Sequence, residues 1–295
     1  MRLITRLKTI EEAKKLNQFG IDIFCLDTDF TAKKISKFSL KEIEELQNEY
    51  PNQIYLLINK MIHEDDLEKL TKFLKSIKLL NISGIVIADL TVYVLAKKLD
   101  LEHLIIYQPG TMNTDTYSEK YFSDRKIKGI TISREITLEE IKEFGKNSIE
   151  LSLIGHGYLD MFYSKRKLVT NYLIHKQITG IDLKNNYNLR LNEEIRENEY
   201  YPIFEDDFGT HIFRSKKLIS FNEMNIFKEL IKDFFIERIF LTDEELINSI
   251  QLYKNQITMS EFLQKYPDYD AGFYYKRTEK VKGELDESWI ISSSR

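Results

Sequence analysis

Scarcity says more about this sequence than any single motif. The 295 residues include one cysteine, Cys25. That excludes an intramolecular disulfide and any metal or iron–sulfur site built from several thiolates. Four prolines and eleven glycines are too few for disordered linkers or for an all-β fold rich in tight turns. No apolar run approaches the roughly 20 residues that cross a bilayer, and the opening MRLITRLKTIEEAKK lacks the apolar centre of a signal peptide. These absences predict a cytoplasmic protein. Positive charge is also not in excess, with a formal net charge of −4 and a pI near 5.9. A chain that grips nucleic acid unaided usually shows a basic balance or a clear basic face. The basic clusters at 33–34, 97–98, 165–167 and 216–217 read mostly as solvated helix faces.

What is present is ample core material, 42% hydrophobic and 12% aromatic, set out in alternating strand and helix signals. Short apolar runs at 2–6, 22–26, 53–58, 84–88, 103–107, 129–132 and 150–154 read as strands. Capping patterns open helices between them: Thr9 with Glu12, Ser39 with Glu42, Thr137 with Glu140. The helix at 65–80 puts Leu67, Leu70, Phe73, Leu74 and Ile77 on one side. After the seventh strand the alternation lapses for about 60 residues and resumes near Asn222. An eighth strand is expected at 238–241, before a helix capped by Thr242.

This alternation predicts an α/β fold with a parallel sheet, and right-handed crossovers let eight units close into a TIM-type (β/α) barrel, regular or distorted. The alternative, a doubly wound open sheet, usually brings a glycine-rich phosphate turn after its first strand, where this chain has Leu7-Lys8-Thr9. The expected organisation is one barrel domain over 1–256, with an insertion at 157–221 after strand seven and a β-hairpin near 201–213. Residues 257–295 form a C-terminal extension whose AGFYYKRTEKVK reads as one strand or an ordered tail.

Functional side chains of such a barrel gather at the carboxyl ends of its strands. Those places hold Asn59, Asp89, Tyr107-Gln108, Arg134-Glu135 and His156. They predict a polar pocket with a cation for an anionic ligand, an imidazole and carboxylates. The stretch 150–172, ELSLIGHGYLDMFYSKRKLVTNY, is its expected centre: a strand breaking at Gly155-His156-Gly157, then Phe162-Tyr163 and the basic cluster Lys165-Arg166-Lys167. A histidine between two glycines is a placed one, because glycine admits close approach. Catalytic candidates are His156, Arg134, Glu135 and Asp89; ligand-binding candidates are Asn59, Gln108, Arg166 and Glu205. Other roles stay open, since Asn59 and Asp89 could cap helices, Arg134 and Glu135 could form structural ion pairs, and His156 could serve a backbone carbonyl. In the insertion, YPIFEDDFGTHIF at 201–213 reads as a hairpin with Gly209 at its turn or at a bulge. Its Glu205, Asp206, Asp207 and His211 form a weak metal pattern, and an acidic hairpin without metal is favoured.

The order of GIVIADL (84–90), TISREITLEEI (131–141), SLIGHGYLDMFYSKRKLVTNYL (152–173) and YPIFEDDFGTHIF resembles peptidase family U-32, the collagenase-like proteases of unassigned catalytic type. The resemblance runs from the first strand to about Tyr253, and its most specific part is His156-Gly157 followed by Tyr163-Ser164 and Arg166. It implies RNA chemistry more than proteolysis. Several members take part in oxygen-independent hydroxylation of tRNA wobble uridine, ribosomal RNA cytidine or the ubiquinone ring. Prephenate metabolism is tied to the RNA reactions, and an iron–sulfur cluster on four cysteines is usual. Where the family carries its first two cluster cysteines this chain has Asp160 and Lys167. Aspartate substitutes poorly for thiolate, and lysine is no ligand at neutral pH.

The resemblance thus implies a shorter paralogue that holds no cofactor or cluster of its own. It would serve the tRNA wobble-uridine 5-hydroxylation machinery beside a longer, cysteine-containing paralogue and reach tRNA through that complex. Asp89, Arg134, His156 and Arg166 would line a pocket or a partner surface, with Arg134 or Arg166 pairing a carboxylate or phosphate. A collagenase-like peptidase is the second expectation. None of the five histidines lies in an HExxH pattern, so its nucleophile would be Cys25, or Ser164 with His156. A non-catalytic scaffold is the third.

Overall fold

The computed structural model describes residues 1–276 except 184, 185 and 195. Strands β1 (Arg2–Arg6), β2 (Ile23–Asp27), β3 (Ile54–Ile58), β4 (Gly84–Ile87), β5 (Ile105–Tyr107), β6 (Gly129–Thr131) and β7 (Glu150–Gly157) each pair in parallel with the next. An inserted unit follows, with β8 (Asp160–Ser164), β9 (Arg190–Glu193), β10 (Arg196–Asp206) and β11 (Gly209–Phe213), and then β12 (Lys217–Ile219). Strand β13 (Asp233–Ile236) pairs in parallel with both β7 and β1, which closes an eight-stranded barrel. A short β14 (Tyr269–Asp270) lies parallel to β12, itself antiparallel to the end of β7.

Period-two alternation sorts the strand side chains to two faces. Ile4, Ile23, Cys25, Tyr55, Leu57, Val86, Ile106 and Phe235 fill the lumen as one buried cluster. Their neighbours, such as Leu3, Phe24, Leu56, Ile85, Leu153 and Phe234, face outward. They pack on helix residues Leu16, Leu46, Leu70, Leu74, Val92 and Ile141. Capping boxes at Ser39/Glu42 and Thr137/Glu140 open two of those helices. Thr9 occupies an N-cap but its side chain makes no capping bond, and Glu12 instead binds Arg238 at 2.6 Å.

The eighth strand lies earlier than 238–241, at Asp233–Ile236. A leading aspartate disguises this apolar run. Asp233 is tolerated at the amino end of the barrel because its carboxylate accepts from Arg2 Nε at 2.6 Å and from the Tyr55 hydroxyl at 2.8 Å. Arg2 also reaches Glu150 at 3.0 Å, so a polar plug seals that end.

The inserted unit folds as an antiparallel sheet in the order β8-β11-β10-β9. Asp206 sits opposite Gly209 in its hairpin, and a helix, Leu168–His175, connects β8 to β9. This sheet lies across the carboxyl mouth of the barrel. The loop after β2 clamps it there: the Lys33 amide donates to Asp206 Oδ2 at 2.7 Å, and the Tyr187 hydroxyl donates to the Lys34 carbonyl at 3.0 Å. Phe204 and Phe213 complete the seal against Ile239, with Ile35, Tyr158 and Phe240 around them. Tyr274 is buried with its hydroxyl 2.7 Å from Ser220 Oγ, so the extension packs on the barrel as far as it is described. Residues 277–282 of AGFYYKRTEKVK lie outside the described ones.

Candidate functional site

Charge gathers where the inserted sheet meets the mouth. At the end of β1, Arg6 is buried and makes a two-pronged bond to Asp27, at 2.9 and 2.6 Å, with Glu237 at 3.6 Å. Asp27 Oδ2 also accepts from the Ile35 and Ser36 amides, and Arg6 donates to the Lys33 carbonyl at 2.7 Å. This buried pair therefore shapes the loop that presents Lys33. The Lys33 ammonium binds Asp160, the first residue of β8. Arg134, which follows β6, approaches the same carboxylate at 3.9 Å. Burial opposes ionisation of Asp160, but Lys33, then Arg134 and His211, outweigh it and hold the carboxyl below its usual range. His211 stacks on Tyr163 with ring centroids 4.7 Å apart. Burial, with Lys33 nearby and only partly offset by Asp160, pushes its imidazole down to about 3.

Beside this cluster opens a cavity of about 400 Å³. Arg134 and Glu135 line it from the barrel, Asp160 and Met161 from β8, Arg196 and Tyr201 from β10, and Arg214 and Asp270 from the far side. Arg214 is already held by Asp270 at 2.8 Å, and Arg196 donates to the Tyr201 hydroxyl at 2.9 Å. Arg134 Nε and Asp160 Oδ1, in contrast, are buried without a hydrogen-bond partner. A buried unpaired donor next to a buried unpaired acceptor suits a small ligand that carries both an anionic oxygen and a hydroxyl.

His156 does not share that cavity. A bulge at Gly155 shifts the pairing of β7 with β13, so Phe235 faces Ile154 and Ile236 faces His156. One extra residue reverses the in–out parity, and the imidazole turns outward among Tyr253, Phe262 and Tyr269. A Cβ on Gly155 would lie 2.1 Å from the Phe234 ring, and one on Gly157 (φ +100°) 2.1 Å from the Glu237 carbonyl oxygen. The two glycines thus serve close packing of the seam. His156 is fully buried, with Nδ1 3.1 Å from the Tyr253 hydroxyl and Nε2 3.0 Å from that of Tyr269. Tyr269 donates to Glu245 at 2.9 Å, and Lys217 binds the same carboxylate at 2.5 Å. Burial, aided by Lys217, pushes the imidazole down to about 3.

The other candidates divide similarly. Glu135 lines the cavity with Arg134. Asp89 caps its helix, accepting from Thr91 at 2.8 Å and from Ile62 at 2.9 Å. Asn59 Oδ1 accepts from the Ala32 amide at 2.8 Å, and Gln108 donates to Thr131 Oγ1 at 3.2 Å. Glu205 caps the inserted helix, accepting from the Val169 and Thr170 amides at 2.8 and 3.1 Å and from the Thr210 hydroxyl at 2.6 Å. Arg166 is exposed on the inserted unit. Lys33, Asp160, His211 and Arg214 escaped the strand-end search because three of them lie in the insertion and one in a loop. The sequence had marked His211 as part of a weak metal pattern and Asp160 as standing where the family has a cluster cysteine, but neither signal pointed to this cavity.

A sequence model of peptidase family U32 matches residues 8–290. The chain belongs to peptidase family U32. Over 270 residues it is 24% identical to tRNA hydroxylation protein P2 of Bacillus subtilis (strain 168), covering 84% of this chain and 87% of that protein. An uncharacterized protease of Methanocaldococcus jannaschii is 24% identical over 290 residues, covering 89% of this chain and 70% of the other. A solved structure from Aquifex aeolicus VF5 matches with a TM-score of 0.50 at 11% identity, covering 87% of this chain and 92% of that one; this likeness concerns the fold alone.

The iron–sulfur cluster implied by the resemblance to U32 proteins does not fit the donors of this U32 chain. The Asp160 carboxylate is engaged by two cations, and Lys167 is half-exposed and 3.5 Å from Asp207. Cys25 is buried in the lumen, where burial pushes its thiol up. Peptidase chemistry is no better served. Both His156 nitrogens meet tyrosine hydroxyls, while Ser164 Oγ accepts from the Arg166 amide at 3.2 Å.

Proposed function

We propose that this U32 protein is a subunit of the machinery that hydroxylates the wobble uridine of tRNA at C5, working beside a longer paralogue that carries the iron–sulfur cluster. The observation that carries the reading is the 24% identity to a tRNA hydroxylation protein over 84% of the chain. Its own side chains supply a binding cavity at the barrel mouth, in which Arg134 holds an anionic group and Asp160, kept ionised by Lys33, accepts from a hydroxyl. A carboxylate-bearing ligand of prephenate type fits that pair of groups. His156 acts as a structural hub that fixes β7 to β12 and β14. The catalytic group among the earlier candidates is then Arg134, with Glu135 beside it.

Deletion of the gene in its own host, followed by mass spectrometry of bulk tRNA nucleosides, tests the reading. Loss of 5-hydroxyuridine-type nucleosides supports it, and an unchanged profile removes it. Co-purification of a longer, cysteine-containing homologue tests the partnership separately.

A further inference from the structure

Cations and exposed rings meet on the first half of the inserted unit. Residues 161–181, MFYSKRKLVTNYLIHKQITGI, include Lys165, Arg166, Lys167, His175 and Lys176 and no aspartate or glutamate. Acids that touch it are already occupied: Glu205 is consumed by the helix amides, Asp207 faces Lys167 at 3.5 Å, and Asp160, at the start of β8, is bound by Lys33. Arg166 and Lys176 are exposed and have no ion-pair partner among the described residues.

The same stretch displays rings. Phe162, Tyr163 and Tyr172 are 44, 38 and 56% exposed. Helix Leu168–His175 buries none of its residues, although Leu, Val, Tyr and Ile make up most of it. Tyr163 is held rigid, its ring stacked on His211 and its hydroxyl donating to the Phe208 carbonyl at 2.8 Å. One held ring and further exposed rings beside unpaired cations make the kind of surface on which unpaired bases stack while their phosphates are neutralised. A protein partner would use the apolar side chains equally well, but Arg166 and Lys176, exposed and unpaired among the described residues beside those rings, favour a polyanion.

We propose that the edge formed by β8 and the helix Leu168–His175 is a docking surface for single-stranded RNA, the unpaired loop of a tRNA. This rests on the proposed function and adds where the RNA sits. It also reconciles a negative net charge with an RNA substrate, because a local group of unpaired cations can hold phosphates on a chain of net charge −4.

The test is fluorescence anisotropy with the full-length protein and labelled tRNA from cells lacking the gene, over a series of salt concentrations. The triple variant Lys165→Ala/Arg166→Ala/Lys167→Ala is expected to bind at least about tenfold more weakly, with the log–log salt slope shallower by about 2. Tyr172→Ala is expected to weaken binding about tenfold at an unchanged slope, and Tyr172→Phe to restore it. All these side chains are at the surface, so unchanged thermal melts keep the comparison valid. A wild-type protein that binds no RNA, or a triple variant with wild-type affinity and slope, overturns the proposal. So does loss of a co-purifying protein from the triple variant while RNA affinity is unchanged. If deletion abolishes tRNA hydroxylation but the triple variant binds normally, only the docking surface fails; if deletion leaves tRNA hydroxylated, the functional reading fails.

Discussion

Acid should unfold this protein through two imidazoles before its carboxylates matter. His156 and His211 are buried, and burial holds both near 3 in the folded state against an ordinary value of 6.5. Between those limits the unfolded chain takes up a proton that the folded chain refuses. Stability is therefore complete above 6.5 and falls as pH drops toward 3. At pH 5 the gap from 6.5 corresponds to about 2 kcal/mol for each imidazole, or about 4 kcal/mol together, a large share of a typical total of 5–15 kcal/mol. Asp160 titrates below its ordinary 3.8, so its contribution is lost only at lower pH and does not blur this window. Urea denaturation between about pH 7.5 and 5 measures the slope directly. His156→Gln keeps a hydrogen-bonding side chain in place and should remove about half of the pH-dependent loss, whatever its offset at pH 7.5. A wild-type stability that is flat over this range, or that rises on acidification, would refute the burial of neutral imidazoles.

Other consequences concern packing and charge. Asp160→Ala leaves Lys33 and Arg134 facing each other at the mouth and should cost about 2–4 kcal/mol in urea unfolding, part of which Lys33→Met recovers. Gly157→Ala meets both a left-handed φ of +100° and the Glu237 carbonyl, so a loss of about 2 kcal/mol or more is expected in the same assay. Glu205→Ala removes the carboxylate that caps Leu168–His175 and should cost about 1–2 kcal/mol, with faster limited proteolysis in that segment. Cys25 should stay unmodified by an aromatic disulfide reagent until denaturant unfolds the barrel.

The barrel was legible because each βα unit carries its own local signals. Apolar runs such as Ile54–Ile58 and caps such as Ser39 need no distant partner to be read. Asp233 hid the eighth strand, since what makes a charge acceptable there is Arg2 at the far end of the chain. Of the candidate site, the strand-end pair Arg134 and Glu135 was legible as cavity lining, and the other lining residues were not. Arg134 and Glu135 do line a cavity at the mouth. His156 would have faced inward like Ile154 had the strand kept its period, and a one-residue bulge reversed it. Asp89 and Glu205 have the composition of ligand-binding acids, yet their oxygens are taken by helix amides, and only tertiary geometry distinguishes the two uses. Lys33 could not be singled out, because a loop lysine gains meaning only when the insertion brings Asp160 to it.

The proposed function puts this chain's part in tRNA hydroxylation at the cavity bounded by Arg134 and Asp160. The most direct measurement is the content of 5-hydroxyuridine-type nucleosides in tRNA from deletion cells complemented with wild type, Arg134→Ala or Arg134→Lys. Loss of one charge-assisted contact should lower the modification at least about tenfold in Arg134→Ala, with partial recovery in Arg134→Lys. Wild-type levels of modification in Arg134→Ala cells, at equal protein abundance, would contradict the account.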